Sequence, residues 1–193
     1  MLSLDALIRE AEIAHGHLCA GQILGVRLAV LGLAKLGIQD PRGKDRKRLV
    51  TFVEIDRCAT DAIGVVTGCR LGKRALKFRD WGKMAATFVD LETGKAVRIA
   101  AKESSKKLAR ELHPEIENKN QQQMLAYREM KDDDLFSTQW VRVELPPEEF
   151  PGYKADRIVC AECGEGINFR REVEREGRVL CRACAGESYY EAL

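Results

Sequence analysis

The sequence predicts an α+β protein in which a larger N-terminal domain is followed by a small cysteine-rich module. Three observations support this class: apolar residues recur at helical spacing in the first 36 positions, alternating β-branched segments follow, and four of the seven cysteines lie in the last quarter of the 193-residue chain. We therefore expect an α+β domain over residues 1–145, a linker at 146–156 and a four-cysteine domain over 157–193.

Two helices are predicted near the N-terminus. Residues 2–14 carry leucine and isoleucine near helical spacing, and Ser3 is placed to cap the first turn. After the interruption AHGHL, residues 20–36 form a second and far more apolar helix. Gly21 and Gly25 would allow another element to approach this second helix closely.

The second helix is predicted to be buried in the protein rather than inserted in a membrane. Arg27 and Lys35 lie inside it, and its nearly continuous apolar part is shorter than the ~20 residues needed to span a bilayer. The opening segment MLSLDALIRE has neither the basic nor the apolar region of a signal peptide. We therefore expect a cytoplasmic protein with no membrane partner.

Strands and further helices are predicted in the middle of the chain, after an exposed basic loop. The prolines of PPEEFPGY indicate the start of the linker, and Pro114 is suited to the first turn of a helix. In chain order, we predict a strand at 49–56, a short helix at 59–67 that ends at Gly68, strands within 75–100, helices at 102–112 and 114–131, and a strand at 137–145.

The charge balance disfavours a general attraction to nucleic acid or anionic lipid. Basic residues number 32 and acidic residues 30, which gives a formal net charge of +2. The cysteine-rich module is also close to balance, so its charge favours a protein partner at least as much as DNA. Nucleic acid is the less favoured partner, although the composition does not exclude it.

The four C-terminal cysteines are predicted to bind a structural zinc ion. Cys160 and Cys163 form one CxxC pair, Cys181 and Cys184 form another, and the 17 residues between the pairs match a zinc-site spacing. The intervening hairpin, with its turn at Glu176-Gly177, would bring the second pair beside the first. Four thiolates leave no open position for a substrate, and metal binding would supply folding free energy that so small a core lacks.

A second group of candidate ligands lies between the first two helices. His15, His17 and Cys19 fall within five residues, and Gly16 predicts a turn that places Cys19 at the start of the second helix. The N–H groups at a helix N-terminus favour the thiolate, which is the form that binds metals and acts as a nucleophile.

Cys58 repeats this arrangement, because it follows a predicted strand and precedes a predicted helix. His17, Cys19 and Cys58 could supply three of the four ligands of a zinc ion or another divalent metal. The fourth ligand would be Asp61, His15 or water. Three protein ligands with one exchangeable position are typical of catalytic or exchangeable sites.

Cys69 does not fit the same site. If the intervening segment is helical, a rise of ~1.5 Å per residue places Cys69 about 16 Å from Cys58, too far for one metal to bind both. Cys69 is therefore either a buried thiol, which we favour, or part of a site that another protomer completes.

Several separated blocks point to a known family. The blocks are HGHLCAGQILG at 15–25, CATDAI at 58–63, TGC at 67–69 and KFRDWGKMAATF at 77–88. Together they resemble the E-subunit family of formylmethanofuran dehydrogenase. The segment from CAECG to CRAC in the C-terminal module is similar to zinc fingers of the DksA/TraR type.

The family resemblance implies a core of helix, strand, helix and three strands in a mixed sheet, a homodimer, and zinc bound by histidine and cysteine. On this sequence the implied ligands are His17, Cys19 and Cys58, whereas Asp61 and Cys69 match motif positions without an assigned role. One departure is the alanine at position 20, where the family pattern has a proline suited to a helix start.

Three functions are consistent with these features. The first, which we rank highest, is a zinc-binding accessory protein associated with formylmethanofuran dehydrogenase or a related anaerobic, methanogenesis-related one-carbon system. It would not be the catalytic component, because the sequence has no pterin-binding region or ferredoxin-type cysteine run. The alternatives are a metal-dependent enzyme that activates water at the histidine and cysteine site, and a metal or redox sensor that acts through the zinc finger.

Overall fold

The N-terminal unit, residues 1–144, is built on one mixed sheet. The computed structural model describes residues 2–191 of the chain. Five strands form this sheet: Leu49–Val53 (β1), Leu76–Phe78 (β2), Ala85–Asp90 (β3), Ala96–Ala101 (β4) and Phe136–Val141 (β5). Their order is β2-β1-β3-β4-β5, in which β1 and β2 are parallel and all other neighbours are antiparallel.

Helices pack against one face of this sheet. They span Leu4–His15 (α1), Ala20–Leu36 (α2), Cys58–Thr67 (α3), Ser104–Leu112 (α4), Lys119–Glu129 (α5) and Asp132–Leu135 (α6). The long helix α2 lies at the centre, in contact with α1, α3 and α5 and with strands β3 and β4. Ile23, Leu28 and Leu33 of α2 are completely buried against the sheet residues Phe88 and Val97 in one apolar core. Within residues 2–191, no helix combines the length and apolar character that crossing a membrane requires.

The predicted ends of the first helices are confirmed. Ser3 caps α1, because its hydroxyl accepts a hydrogen bond from the backbone N–H of Ala6. Gly16 ends α1 and Gly68 ends α3, each with a positive φ that costs glycine little.

Glycines allow α2 and α3 to pack closely. A Cβ atom at Gly25 would lie 2.5 Å from the carbonyl oxygen of Ala59 and 2.9 Å from the Cβ of Ala62. At Gly21, an added Cβ would lie 3.4 Å from the Cβ of Cys58. The prediction that these two glycines admit another element is therefore confirmed, and that element is α3.

Replacing Gly25 with alanine is expected to destabilise the N-terminal unit by about 2 kcal/mol, because the added methyl group meets the α3 backbone. Urea denaturation would measure the change in the free energy of unfolding. Gly72→Ala is the control, since no atom lies within 4 Å of a Cβ built there. Equal stability of the two variants would contradict this account of the α2–α3 contact.

Three predicted boundaries are wrong after the first two helices, and one of them is the end of the strand expected at 137–145, which lies at Val141. The helix expected at 114–131 begins only at Lys119, because the side chain of Asn118 accepts hydrogen bonds from the N–H groups of Asn120 and Gln121 and caps α5 there. The strand expected at 49–56 ends at Val53, after which the chain bends toward α3.

The C-terminal unit, residues 145–193, contains two small antiparallel hairpins. Their strands are Ile158–Val159 (β6), Gly166–Ile167 (β7), Val173–Arg175 (β8) and Arg178–Leu180 (β9). Glu176 and Gly177, both at positive φ, form the predicted turn between β8 and β9. The buried apolar core consists of Cys160, Ile167, Leu180 and Ala185.

Candidate metal centres

The C-terminal unit brings its four cysteine thiols to one point. The sulfur atoms of Cys160, Cys163, Cys181 and Cys184 all lie within 4.8 Å of one another, and those of Cys163 and Cys181 are 3.9 Å apart. A tetrahedral zinc ion with Zn–S bonds near 2.3 Å requires sulfur atoms about 3.8 Å apart. The four thiols therefore fit the zinc site that the CxxC spacing predicts.

Backbone N–H groups favour negative charge in this cluster. The N–H of Cys181 donates to the sulfur of Cys160 at 3.2 Å, and the N–H groups of Cys181, Cys163 and Glu162 lower the pKa of Cys160 to about 6. In contrast, the neighbouring Cys181 thiol and, to a smaller extent, burial raise the pKa of Cys184. Adjacent thiols oppose each other's ionisation, and a divalent cation would remove that opposition.

Two thiols also meet in the N-terminal unit, where α2 and α3 begin. Cys19 is the N-cap residue of α2, and Cys58 is the first residue of α3. Both residues lie close to Gly21. A Cβ atom built at Gly21 would be 3.7 Å from the sulfur of Cys19 and 3.4 Å from the Cβ of Cys58. Burial and, to a smaller extent, the neighbouring Cys19 thiol raise the pKa of Cys58. The close packing of the two helices thus joins thiols that are 39 positions apart in the sequence.

The two histidines lie beside each other, and one of them is bound to a carboxylate. Nδ1 of His15 and Oδ2 of Asp61 are 2.8 Å apart, and the ring centroids of His15 and His17 are 4.6 Å apart. A carboxylate that binds one ring nitrogen fixes the imidazole and directs the other nitrogen to a metal in many metal sites. With its carboxylate bonded to His15, Asp61 is better placed to orient this histidine than to bind a metal directly.

The N-terminal candidates are not all gathered at one point. Among the residues that the structure describes, only the four finger cysteines form a set of three or more His, Cys, Asp or Glu ligand atoms within 4.8 Å. The structure places Cys19 beside Cys58, and it places His15 beside Asp61 and His17.

Gln22 and Asn120 support the N-terminal site but were not predicted from the sequence. Gln22 is fully buried, and its Nε2 donates to the carbonyl oxygen of Cys58 at 2.7 Å. Its Oε1 is buried without a hydrogen-bond partner in the described part of the chain. Such an atom is expected where a bound ion or an ordered water completes a site. Asn120 of α5 accepts a hydrogen bond from the N–H of Ala20 at 3.1 Å, which ties α5 to the start of α2.

A sequence signal existed for only one of these two residues. Gln22 lies within the HGHLCAGQILG block, three positions after Cys19. Asn120 is 100 positions from Ala20, and only the packing of α5 against α2 brings them together.

Cys69 is a buried thiol of the N-terminal core. It is 3% exposed, its sulfur accepts a hydrogen bond from the Thr51 hydroxyl at 3.5 Å, and its thiol donates to the carbonyl oxygen of Leu49 at 3.7 Å. Burial raises the pKa of Cys69, which favours the neutral thiol. The burial of Cys69 agrees with the alternative favoured from the sequence, that of a buried thiol.

Family comparisons match segments in both units of the chain. Residues 14–137 match the family described as "FmdE, Molybdenum formylmethanofuran dehydrogenase operon", and residues 155–190 match the "Prokaryotic dksA/traR C4-type zinc finger". A "Probable S-adenosyl-L-methionine-binding protein" from Archaeoglobus fulgidus is 32% identical over 209 aligned positions, which cover 97% of this chain and 54% of the relative. The chain therefore spans about half the length of that curated relative.

A solved structure has the same fold along nearly the whole chain. It is the crystal structure of an FmdE-like protein of the tungsten formylmethanofuran dehydrogenase type from Syntrophus aciditrophicus. It superposes with a TM-score of 0.66 at 21% identity, over 98% of this chain and 96% of that chain. The mixed five-stranded sheet with its helices and the small cysteine-containing domain thus form an FmdE-like fold. With a family match over more than half of its residues and a four-cysteine cluster that fits zinc, the chain belongs to the FmdE family and carries a C-terminal zinc finger of the DksA/TraR type.

Proposed function

We propose that this protein is a zinc-binding accessory component of formylmethanofuran dehydrogenase or of a related anaerobic one-carbon system, and that it binds a second metal ion at the N-terminal site. The observation that carries the proposal is the meeting of Cys19 and Cys58 at the starts of two helices. Membership of the FmdE family supports the metabolic association.

Different residues of this chain would bind the metal and orient its ligands at the proposed second site. The thiolates of Cys19 and Cys58 would bind the metal, favoured by N–H groups at two helix N-termini. His17 would add a nitrogen ligand, and Asp61 would hold His15 in the orientation required for a further one. A bound zinc or other divalent ion would supply a Lewis-acid centre there.

Metal analysis of the purified protein tests the two-site proposal. We expect two metal ions per chain in the wild type, and one each in Cys19→Ser and Cys160→Ser, because each variant removes a ligand from a different site. Cys69→Ala is the control and should retain both ions, since the Cys69 thiol is engaged with Thr51 and Leu49 in the core. One ion in the wild type, or two in Cys19→Ser, would contradict a metal at the N-terminal site.

Copurification tests the metabolic association separately. Tagged protein from the native host, grown under several conditions, should recover components of formylmethanofuran dehydrogenase or of another one-carbon enzyme. The same recovery with Cys160→Ser would exclude the finger as the contact surface, and loss of recovery would assign it that role. Isolation of this chain alone under all conditions would overturn the association and leave the metal result unaffected.

The Archaeoglobus fulgidus relative favours a second candidate function, the binding of S-adenosylmethionine. Its alignment covers 97% of this chain, although nearly half of the relative lies outside the alignment. Calorimetric titration of this protein with S-adenosylmethionine would test the candidate. Absence of saturable heat would overturn this function for the chain.

A further inference from the structure

The face of the five-stranded sheet opposite the helices contains a cleft of about 300 Å³. Phe52 pairs with Thr87 and Thr87 pairs with Arg98 across adjacent strands, so the three side chains point to this face. The alternate pair, Phe88 and Val97, points into the core beneath the helices. The cleft has the volume of a small ligand site, for which about 300 Å³ is the lower end of the usual range.

The floor of the cleft contains polar groups with unused hydrogen-bonding capacity. The buried carboxylate of Glu54 accepts two hydrogen bonds from Arg98, at 2.7 and 2.6 Å, which use two of the five guanidinium N–H donors. Thr87 is 7% exposed, and its hydroxyl forms no side-chain hydrogen bond within residues 2–191. Because Thr87 lines the cleft, its hydroxyl is available to bond with a ligand there.

Aromatic rings form the walls. Phe52 and Trp81 both line the cleft, and Trp81 remains 62% exposed. The loop that carries Trp81 is fixed, because the N–H groups of Trp81 and Lys83 both donate to the carbonyl oxygen of Glu54, at 3.2 and 3.1 Å. Trp81 thus presents an exposed aromatic ring on an anchored loop, which is a stacking surface for a planar ring.

Cations line or adjoin the same cleft: Arg79 and Arg142 line it, and Lys83 lies over the ring of Trp81. The ammonium of Lys83 is 5.8 Å from the centre of the Trp81 ring, and Arg142 lines the cleft with its guanidinium paired to the exposed Glu144. A ring stacked on Trp81 would therefore have positive charge beside it, which favours an anionic substituent.

We propose that this cleft binds a planar heteroaromatic ring that carries an anionic group, the chemical class of a nucleoside monophosphate. The ring stacks on Trp81, its polar edge bonds with Thr87 and Arg98, and the anion is attracted by Lys83 and Arg142. The proposal rests on the sheet face alone and is independent of the metal sites and of the proposed function.

The two tryptophans allow a direct test. Trp140 pairs with Val97 and so lies on the opposite face of the sheet from the cleft. In a Trp140→Phe background, Trp81 is the only tryptophan, and its fluorescence reports the cleft. We expect AMP to change this fluorescence saturably, adenosine to bind at least about tenfold more weakly because it lacks the anion, and inorganic phosphate to give no change.

Variants in the same background test the contacts. Trp81→Ala, followed by calorimetry, should weaken AMP binding about tenfold through loss of stacking. Thr87→Val should weaken it about fivefold, and since that hydroxyl has no partner in the free protein, the urea midpoint should not fall. Thr138→Val is the matched control, because Thr138 pairs with Ile99 on the helix side of the sheet.

Three results would overturn the proposal. The first is AMP titration without a Trp81 signal. The second is AMP affinity that neither Trp81→Ala nor Thr87→Val lowers, and the third is phosphate binding as strong as that of AMP.

Discussion

Removal of zinc is expected to unfold the C-terminal unit and to leave the N-terminal unit folded. The finger has a buried core of only four residues, so metal binding must supply most of its folding free energy. For zinc-finger peptides this contribution is on the order of 10–16 kcal/mol. Cys160→Ser removes the one cysteine of the four that is fully buried. We expect loss of one zinc ion and loss of amide chemical-shift dispersion for residues 157–190 in ¹H–¹⁵N spectra.

Two control variants distinguish the loss of zinc from a general loss of folding. Cys19→Ser should leave the finger resonances unchanged, because Cys19 lies at the start of a helix of the N-terminal unit. Glu162→Gln, at an exposed side chain between two ligands, should also retain the finger zinc. Native dispersion for the finger in a zinc-free sample would refute a metal-dependent fold.

Replacing Glu54 with glutamine is expected to destabilise the N-terminal unit by about 3 kcal/mol. The Glu54 carboxylate is 3% exposed and forms a two-point ion pair with Arg98, whose side chain is 22% exposed. Loss of one partner of a buried pair leaves an uncompensated charge, which costs about 3–5 kcal/mol, and the partial exposure of Arg98 places the value at the lower end. Urea denaturation would measure the free energy of unfolding.

Comparison variants identify the cause of this loss. Glu144→Gln removes a partner of the exposed Arg142 and should have no measurable effect, since surface ion pairs contribute little. The double variant Glu54→Leu with Arg98→Met should recover much of the lost stability, because it removes both charges. If Glu54→Gln and Glu144→Gln unfold at the same urea concentration, the buried pair does not stabilise the sheet.

Features set by neighbouring residues were predictable. Ser3, Gly16 and Gly68 mark helix ends through hydrogen bonds and backbone angles within a few positions of themselves. The start of α5 was missed although it is also local, because both Pro114 and Asn118 are suited to a helix start. The side chain of Asn118 satisfies two N–H groups, and this capping decided between them.

The contacts within the proposed second metal site were predictable only in part. Helix-start reasoning identified Cys19 and Cys58 one at a time, their grouping with His17 was a hypothesis about converging segments, and the family resemblance implied the same ligands. Their contact depends on how closely α2 and α3 approach at Gly21, which no local pattern specifies. The pairing of His15 with Asp61 arises in the same way, from the packing of α1 against α3.

By itself, the sequence determined the α+β class, the helix ends near the N-terminus and the four-cysteine zinc site, because each depends on short-range spacing or on two pairs joined by one hairpin. Only the tertiary structure decided which histidine Asp61 holds, that Cys69 is buried, and that the open sheet face carries the cleft around Thr87 and Trp81. Those features join side chains from several strands and helices, and their meeting depends on strand register and helix packing rather than on distance along the chain.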